Sequence, residues 1–360
     1  TTSARHTAIR LAPEYPSALV TQTGDASQMA QLCMALTDAR KKQTVSEILS
    51  EQALMRAEHA ATQKPTLLPL EQARAQAPQW TQENVPAEQL GERIFSEVPL
   101  KELIPLINWP AFVHAWGVKR KHGTHCQCGC SENPREDLLA DARALLNRAE
   151  TENRFHPRAV AALWHAQRRG DDVAVFSDRA LTQELGVFHF LRQQIPAQNG
   201  GQKCLADAVA QEGGVLGGFV ATAGCEAAAW AAEFEKSGDP YSALLAQTLA
   251  DRVAEALSQW LHQKMTGALG IRPAIGYPSI PDHTEKQTLF KLLNATKHTG
   301  VTLTETCAMS PLSSVSGLYL PSKEASYFHV GEIADDQLRD YAVRKNWDLE
   351  KARKCGENFF

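Results

Sequence analysis

The spacing of apolar positions in the first 61 residues predicts three helices and one strand. Residues 1–10 and 45–61 fit helices, and residues 18–21 fit a strand. Between them, Asp25 or Ser27 can cap a further helix, because either side chain can accept hydrogen bonds from free backbone N–H groups. The apolar side chains of this middle helix fall on one side: Met29, Leu32, Cys33 and Leu36. By itself this stretch has too few strands for a stable α/β domain.

A proline-containing stretch follows these helices. Its apolar residues show little periodicity, and its prolines are Pro65, Pro69, Pro78, Pro86 and Pro99. Proline has no backbone N–H to donate and disfavours continuous helices and strands. We therefore predict that residues 62–99 form a semi-extended, exposed linker.

Beyond the linker the pattern mixes helices and strands. Helices are predicted over residues 138–149 and 239–265, the second opened by Asp239 and Pro240, a favourable pair for a helix start. The predicted strands are 173–176, 187–191, 215–221, 301–306, 315–320 and 327–333. Because helices and strands do not alternate regularly, we predict an α+β fold over residues 100–360, with mixed helices around a sheet rich in antiparallel pairs.

Two capping signals mark the last helices. Asp282 and Glu285 have the spacing of a capping box and precede an apolar helix. Asp335 can cap a final helix that carries Leu338 and Tyr341.

Composition excludes several classes of protein. With 360 residues, 43% hydrophobic content and a net charge of −4, the chain can build a large core and has no strongly basic surface for nucleic acid. No apolar run is long enough to cross a membrane. Eight cysteines in a chain of this length do not suggest a disulfide framework, so we expect reduced thiols and a cytoplasmic protein. Because residue 1 is threonine, we expect the chain to be cut from a longer protein.

The most informative segment runs from residue 272 to 286. It contains three prolines and one glycine, so we predict a stiff loop with one point of close backbone approach. Arg272 at its start can pair bidentately with a carboxylate. Tyr277 beside the glycine offers an aromatic face. This combination suits a small zwitterionic ligand that carries a ring system.

An ordered series of motifs resembles the reactivation domain of cobalamin-dependent methionine synthase. The Arg-x-x-x-Gly-Tyr pattern of Arg272, Gly276 and Tyr277 matches the S-adenosylmethionine motif of that family. Further matches are Leu191-Arg192-Gln193-Gln194, Cys204-Leu205-Ala206-Asp207, Leu249-Ala250-Asp251-Arg252, Ala254-Glu255-Ala256, His283-Thr284-Glu285-Lys286, Ser314-Val315-Ser316-Gly317, Ser326-Tyr327 and Asp336-Gln337-Leu338.

The resemblance implies a domain organisation and a function. Residues 1–61 would be the C-terminal remnant of an α/β cobalamin-binding domain, 62–99 the linker and 100–360 the reactivation domain. The family's reactivation domain binds S-adenosylmethionine for reductive methylation of inactive cob(II)alamin. It thereby supports methyl transfer from methyltetrahydrofolate to homocysteine, a methyltransferase reaction. The implied partners are a cobalamin-binding domain or corrinoid protein and a flavodoxin-like electron donor, with no nucleic acid or membrane.

Two alternatives remain open. The chain could be a stand-alone activator that binds S-adenosylmethionine and serves a corrinoid protein in trans. It could also be a metal-binding or redox interaction protein built on Cys126, Cys128 and Cys130. Three thiolates can bind zinc or an iron–sulfur cluster, but C-x-C spacing closes poorly around one ion. We therefore assign no metal and interpret this segment as a loop of free thiols.

The resemblance also assigns residues to the ligand and to an interface. The S-adenosylmethionine site would comprise Asn108, Glu255, Arg272, Pro273, Ala274, Gly276, Tyr277, Tyr327 and Phe328. Asn108 departs from the family's aspartate and so lacks the charge that faces the ligand's ammonium. Glu255 also fits a solvated helix face. No residue is assigned as a catalytic acid or base.

His283 and Lys121 match positions at the interface with the cobalamin domain. His283 fits a helix-start residue equally well. Lys121 also fits a solvated basic run with its neighbours Lys119 and Arg120.

Overall fold

A computed structural model describes residues 3–23, 26–61, 66–117, 133–197 and 201–356. The chain divides into two compact units, Thr1–Thr66 and Leu67–Phe360. In the described residues, no helix is long and apolar enough to cross a membrane.

The first unit is helical in its described part. It contains α1 (Ala4–His6), α2 (Ala26–Thr37) and α3 (Lys41–Ala61). The strand predicted over residues 18–21 is wrong, because this segment pairs with no other strand among the described residues. Instead, the side-chain amide of Gln52 on α3 donates a hydrogen bond to the carbonyl of Val20 (2.7 Å). The α/β character predicted for residues 1–61 therefore has no strand to support it.

The second unit is built from ten helices and eight strands in its described residues. The helices are α4 (Leu70–Ala75), α5 (Leu100–Leu103), α6 (Trp109–Ala115), α7 (Pro134–Thr151), α8 (Glu226–Lys236), α9 (Pro240–Thr266), α10 (Glu285–Leu292), α11 (Ala295–Thr299), α12 (Asp335–Arg344) and α13 (Leu349–Gly356). The strands are β1 (Gly91–Phe95), β2 (Arg158–Arg169), β3 (Asp172–Phe176), β4 (Glu184–His189), β5 (Gly214–Thr222), β6 (Thr302–Leu303), β7 (Met309–Ser310) and β8 (Ser314–Tyr319).

The main sheet has the order β4-β3-β2-β5-β8, and β1 also pairs with β2. Every pairing is antiparallel, which confirms the predicted α+β class. A separate two-stranded ribbon joins β6 and β7. In this order β8 is an edge strand, and that position determines where the loop at residues 271–275 docks.

The sheet lies between two apolar layers. On β2, Ala161 and Leu163 face the cluster that contains α9, whereas Ala162 and Trp164 face the opposite cluster with Leu289 of α10. Successive strand residues point to opposite faces, so a strand covered on both sides is apolar throughout.

Helix α9 is the longest helix of the described chain and begins and ends where its sequence predicts. The Asp239 side chain accepts a hydrogen bond from the backbone N–H of Ser242 (3.0 Å), and Pro240 occupies the first turn. The helix ends at Gly267, which takes the left-handed conformation (φ +65°). Its position along the sheet places the polar side chains near residue 255 at the edge of β8.

Part of the predicted linker is folded. Leu70, Ala73, Val85 and Val98 are buried, and β1 adds to the main sheet. From Leu67 onward the stretch belongs to the same compact unit as residues 100–360. The prolines do not prevent this packing, because Pro69, Pro86 and Pro99 each stand just before a short helix, where the missing N–H has no bond to lose.

Two local predictions near the site are also wrong. The capping box of Asp282 and Glu285 does not form: Thr284 is the N-cap residue, and both carboxylates instead pair with Lys345, the residue that follows α12. Residues 327–333 do not form a strand.

Candidate functional site

The loop that follows α9 runs along the free edge of β8. Ile271 and Leu320 exchange backbone hydrogen bonds, Leu318 N–H donates to the Pro273 carbonyl (3.0 Å), and Ile275 N–H donates to the Ser316 carbonyl (3.2 Å). Gly317 permits this approach, because a Cβ atom there would lie 2.6 Å from the Pro273 carbonyl oxygen. The edge strand thus fixes the loop that carries the arginine motif.

The loop then turns tightly at Gly276. Gly276 has φ +92°, and its N–H donates to the carbonyl of Ile280 (2.7 Å). A Cβ atom at this position would lie 2.3 Å from Cε1 of His283. Only glycine adopts this conformation without strain and leaves room for the imidazole. This explains in physical terms why the motif contains a glycine here.

The segment after Ser326 packs onto the turn through the hydroxyl of Ser279 and one backbone hydrogen bond. Ser279 Oγ donates to the Phe328 carbonyl (2.5 Å) and accepts from the Phe328 N–H (3.1 Å), while Val330 N–H donates to the Pro278 carbonyl (3.0 Å). These bonds replace the strand pairing predicted for residues 327–333.

Two tyrosines border the space between these segments. Tyr277 and Tyr327 are 66% and 61% exposed, and the hydroxyl of Tyr327 accepts a hydrogen bond from the backbone N–H of Arg272 (3.1 Å). Exposed aromatic faces of this kind are suited to covering a planar ring.

Helix α9 supplies the charged side of the site. Arg272 Nη1 donates to Ser258 Oγ (2.6 Å), and Nη2 donates to a carboxylate oxygen of Glu255 (3.2 Å). A guanidinium has five N–H donors in a planar fork, so these two bonds orient Arg272 and leave further donors for a ligand. Arg252, three residues before Glu255, lies on the same face of the helix.

His283 and Lys286 form another part of the site. Lys286 Nζ lies 2.8 Å from His283 Nδ1 and 3.1 Å from the carbonyl of Cys307. Burial lowers the pKa of His283 below its usual 6.5, the Lys286 charge lowers it further, and Asp282 acts in the opposite direction. Burial also lowers the pKa of Lys286. The imidazole is therefore neutral at pH 7, and Nδ1 accepts the lysine's hydrogen bond.

These elements enclose a cavity of about 790 Å³. It is lined by Arg252, Glu255, Arg272, Pro273, Ala274, Ile275, Tyr277, Pro278, Ser279, His283, Lys286, Met309, Ser314, Val315, Ser316, Tyr327, Phe328 and His329. Two of the lining residues, Arg252 and Ser316, each have a buried polar atom, Nε and Oγ, without a hydrogen-bond partner within the described chain. A cavity with aromatic walls, charges of both signs and unused polar atoms fits a small polar ligand with a ring.

The structure brings most of the predicted site residues together. Seven of the nine assigned to the ligand line the cavity: Glu255, Arg272, Pro273, Ala274, Tyr277, Tyr327 and Phe328. Gly276 shapes its turn, and His283, predicted for an interface, also lines it. Asn108 does not: it is the N-cap residue of α6, where its side chain accepts a hydrogen bond from Ala111 N–H (3.0 Å).

Lys121 and the cysteines Cys126, Cys128 and Cys130 lie outside the described residues. Within the described ranges, no three His, Cys, Asp or Glu side chains are grouped so that they could hold a metal ion. Sequence reasoning missed four cavity or supporting residues: Arg252, Ser258, Lys286 and Ser316. Arg252, Lys286 and Ser316 lie in segments that match the family, and Arg252 also has helical spacing from Glu255. Ser258 carried no signal.

A sequence profile of the vitamin B12 dependent methionine synthase activation domain matches residues 99–346. The chain belongs to this family. A crystal structure of the MetH reactivation domain bound to AdoHcy is similar, with 32% sequence identity and a TM-score of 0.73. The match covers 82% of this chain and 99% of that one. The arginine motif, the cavity and the antiparallel sheet of the second unit are thus features of an activation domain.

Proposed function

We propose that this activation domain binds S-adenosylmethionine in the cavity beside β8 and presents its methyl group to a cobalamin. The cobalamin would be held by a cobalamin-binding domain or a corrinoid protein, in the same or another polypeptide. The single observation that carries the proposal is the placement of Arg272. Its guanidinium faces the cavity while Ser258 and Glu255 fix its orientation.

The charged end of the cavity matches the amino-acid half of the ligand. The free donors of Arg272 would bind the carboxylate, for which a planar fork is the best protein partner. Glu255 lies beside it and would attract the ligand's ammonium or sulfonium charge. A zwitterionic amino acid needs both signs within a few ångströms, and the 3.2 Å separation of Arg272 and Glu255 provides them.

The rest of the cavity suits the nucleoside half. Tyr277 and Tyr327 would cover the adenine ring, and Phe328 adds an apolar surface. The solved MetH reactivation domain, which is similar to this chain, is bound to AdoHcy. AdoHcy differs from S-adenosylmethionine by the absence of the sulfonium methyl group.

The contribution of the protein is positional. Methyl transfer from a sulfonium needs alignment of donor and acceptor and no proton transfer, so no acid or base is assigned. Bound cobalamin would supply the metal that accepts the methyl group. His283, on the cavity wall, and Lys121 are the residues we propose for the interface with it.

The remaining parts of the proposal follow from family membership alone. We propose that the domain supports methionine synthase, a methyltransferase that uses methyltetrahydrofolate and homocysteine. We further propose a flavodoxin-like electron donor and a cytoplasmic location. Asn108 stays a predicted ligand residue, with the capping role in α6 as its observed contact.

Calorimetric titration of the full chain with S-adenosylmethionine tests the proposal. Wild-type protein should bind one equivalent, and Arg272→Ala should bind at least about 100-fold more weakly, because hydrogen bonds to a charged group are lost. Arg169→Ala is the matched control, since Arg169 pairs with Glu184 on β4, and neither residue lines the cavity. Wild-type protein that gives no binding heat at millimolar ligand would refute the proposal.

A further inference from the structure

Two serines of the second unit are buried with no hydrogen-bond partner for their hydroxyls among the described residues. They are Ser316 and Ser322, which are 1% and 0% exposed. A hydroxyl that leaves water without gaining a partner carries a desolvation penalty. Ser316 lines the cavity, whereas Ser322 does not. A molecule bound in the cavity could therefore supply a hydrogen-bond partner to the hydroxyl of Ser316 but not to that of Ser322.

The neighbouring serine of the same strand shows that the protein can satisfy a hydroxyl at this edge. Ser314 Oγ bonds Thr222 Oγ1 (3.0 Å) and the carbonyl of Pro311 (2.7 Å). Ser314 and Ser316 are two residues apart and so lie on one face of β8. Within the described chain Ser316 Oγ has no such bond, and Ser316 is among the residues that line the cavity.

The position of Ser316 relative to Arg272 indicates which part of a ligand it meets. The loop runs antiparallel to β8, and the Ile275 N–H bonds the Ser316 carbonyl. Ile275 is three residues beyond Arg272, a separation of about 10 Å in extended chain. A ligand held by its carboxylate at Arg272 would extend along the loop, and its far half would reach Ser316.

We propose that Ser316 is a further binding residue, whose hydroxyl hydrogen-bonds the nucleoside half of S-adenosylmethionine. This inference rests on the proposed function. A hydroxyl both donates and accepts, so it can pair with a ribose hydroxyl or with a ring nitrogen of adenine.

Replacement of Ser316 by alanine separates this role from a structural one. In Ser316→Ala, the melting temperature of the ligand-free protein should stay equal or rise, because an unsatisfied buried hydroxyl is removed. The same variant should bind S-adenosylmethionine about tenfold more weakly. Ser322→Ala is the matched control: its melting temperature should change in the same direction, and its affinity should equal that of wild-type protein.

Fragments of the ligand locate the contact. Ser316→Ala should weaken binding of methylthioadenosine by the same factor as binding of S-adenosylmethionine and leave methionine binding unchanged. Arg272→Ala should weaken methionine binding and leave methylthioadenosine binding unchanged. Unchanged affinity of Ser316→Ala, in wild-type protein that does bind S-adenosylmethionine, overturns this inference alone. A fall in the melting temperature of ligand-free Ser316→Ala also overturns it, because the hydroxyl would then have a protein partner. Absence of binding by wild-type protein overturns the proposed function together with the inference.

Discussion

Two arginines of the second unit, Arg192 and Arg272, lie in opposite kinds of surroundings. Arg192 is buried, and each of the five N–H groups of its guanidinium donates a hydrogen bond, to Asp171, to Asp207 and to the carbonyl of Gln202. The protein itself thus satisfies all the hydrogen-bond donors of this guanidinium. Burial and these neighbouring carboxylates leave no donor for anything that comes from outside the chain.

Arg272 is only partly satisfied by the protein. Its two side-chain bonds reach Ser258 and Glu255, and Arg272 lines a cavity whose wall also includes Ser316, a serine without a hydrogen-bond partner for its hydroxyl in the described chain. Both arginines fall in segments that match the family, and the sequence assigns a ligand role to Arg272 alone. The two arginines differ in their contacts. A polar cluster in which every hydrogen bond is made within the protein stabilises the fold, whereas a cluster with unused donors beside a cavity can bind a ligand.

The sharpest way to test this comparison is Arg192→Met. Burial alone would raise the pKa of Asp171, yet Arg192 and Arg74 hold it below its usual 3.8, so the carboxylate is charged in the interior. Removal of Arg192 would leave Asp171 and Asp207 without their main counter-charge. We expect a loss of about 3–5 kcal/mol in the free energy of unfolding, measured by urea denaturation.

Arg169→Met is the matched control for this variant. Arg169 forms an exposed pair with Glu184 (2.7 Å), and exposed ion pairs contribute less than about 1 kcal/mol. Similar unfolding energies for both variants would contradict the structural role of the Arg192 cluster.

The dependence of the free energy of unfolding on pH provides a second test of the same cluster. Because the pKa of Asp171 is depressed in the folded state, its contribution is present above pH 3.8 and is lost as the pH falls below that value.

How much of this fold could be predicted from sequence varies by region. Most helices and strands of residues 134–320 fall where the apolar pattern places them, and Asp239 caps α9 as predicted. β2 was missed, although it is the central strand. Both of its faces are covered, so its run of alanine, valine, leucine and tryptophan shows no alternation, and periodicity is the signal on which strand prediction depends.

The part of the site that could be predicted from sequence is the part formed by one continuous motif. The loop from Arg272 to Tyr277 carries its own pattern, and the structure places it at the cavity. Ser258 belongs to α9 and carries no signal of its own in the sequence. Ser316 belongs to a segment that matches the family, but its contact with the loop depends on the backbone pairing at the edge of β8. The Asp282 and Glu285 spacing misled for the same reason: Lys345, some 60 residues later, pairs with both carboxylates.

A smaller effect is expected from Gly276→Ala, which changes the turn beside the cavity and leaves Arg272 in place. Alanine at φ +92° costs about 1–2 kcal/mol in backbone strain, and its Cβ would collide with the His283 ring at 2.3 Å. The loop must shift, so we expect S-adenosylmethionine binding to weaken by at least about tenfold. Calorimetry and thermal unfolding of the same protein would measure both effects.

Gly238→Ala provides the control for Gly276→Ala. Gly238 also has a positive φ (+80°), but a Cβ atom there would have no neighbour within 4 Å, and the residue does not line the cavity. Gly276→Ala should therefore lose more stability than Gly238→Ala, because only the former adds a collision with His283, and only Gly276→Ala should lose ligand affinity. Equal affinity in both would mean that the turn does not shape the binding site.

The smallest expected effect concerns pH. Burial and Lys286 hold the pKa of His283 below 6.5, so the imidazole is neutral at pH 7 and gains a proton only as the pH falls further. The protonated ring would lose its bond from Lys286 and repel a cationic sulfonium ligand. S-adenosylmethionine binding should therefore be weaker at pH 5 than at pH 6.8, a range in which the ligand keeps its own charges. In His283→Gln, which cannot titrate, calorimetry should show a flat profile. A drop of the same size in this variant would assign the pH dependence to another group and leave His283 as part of the wall alone.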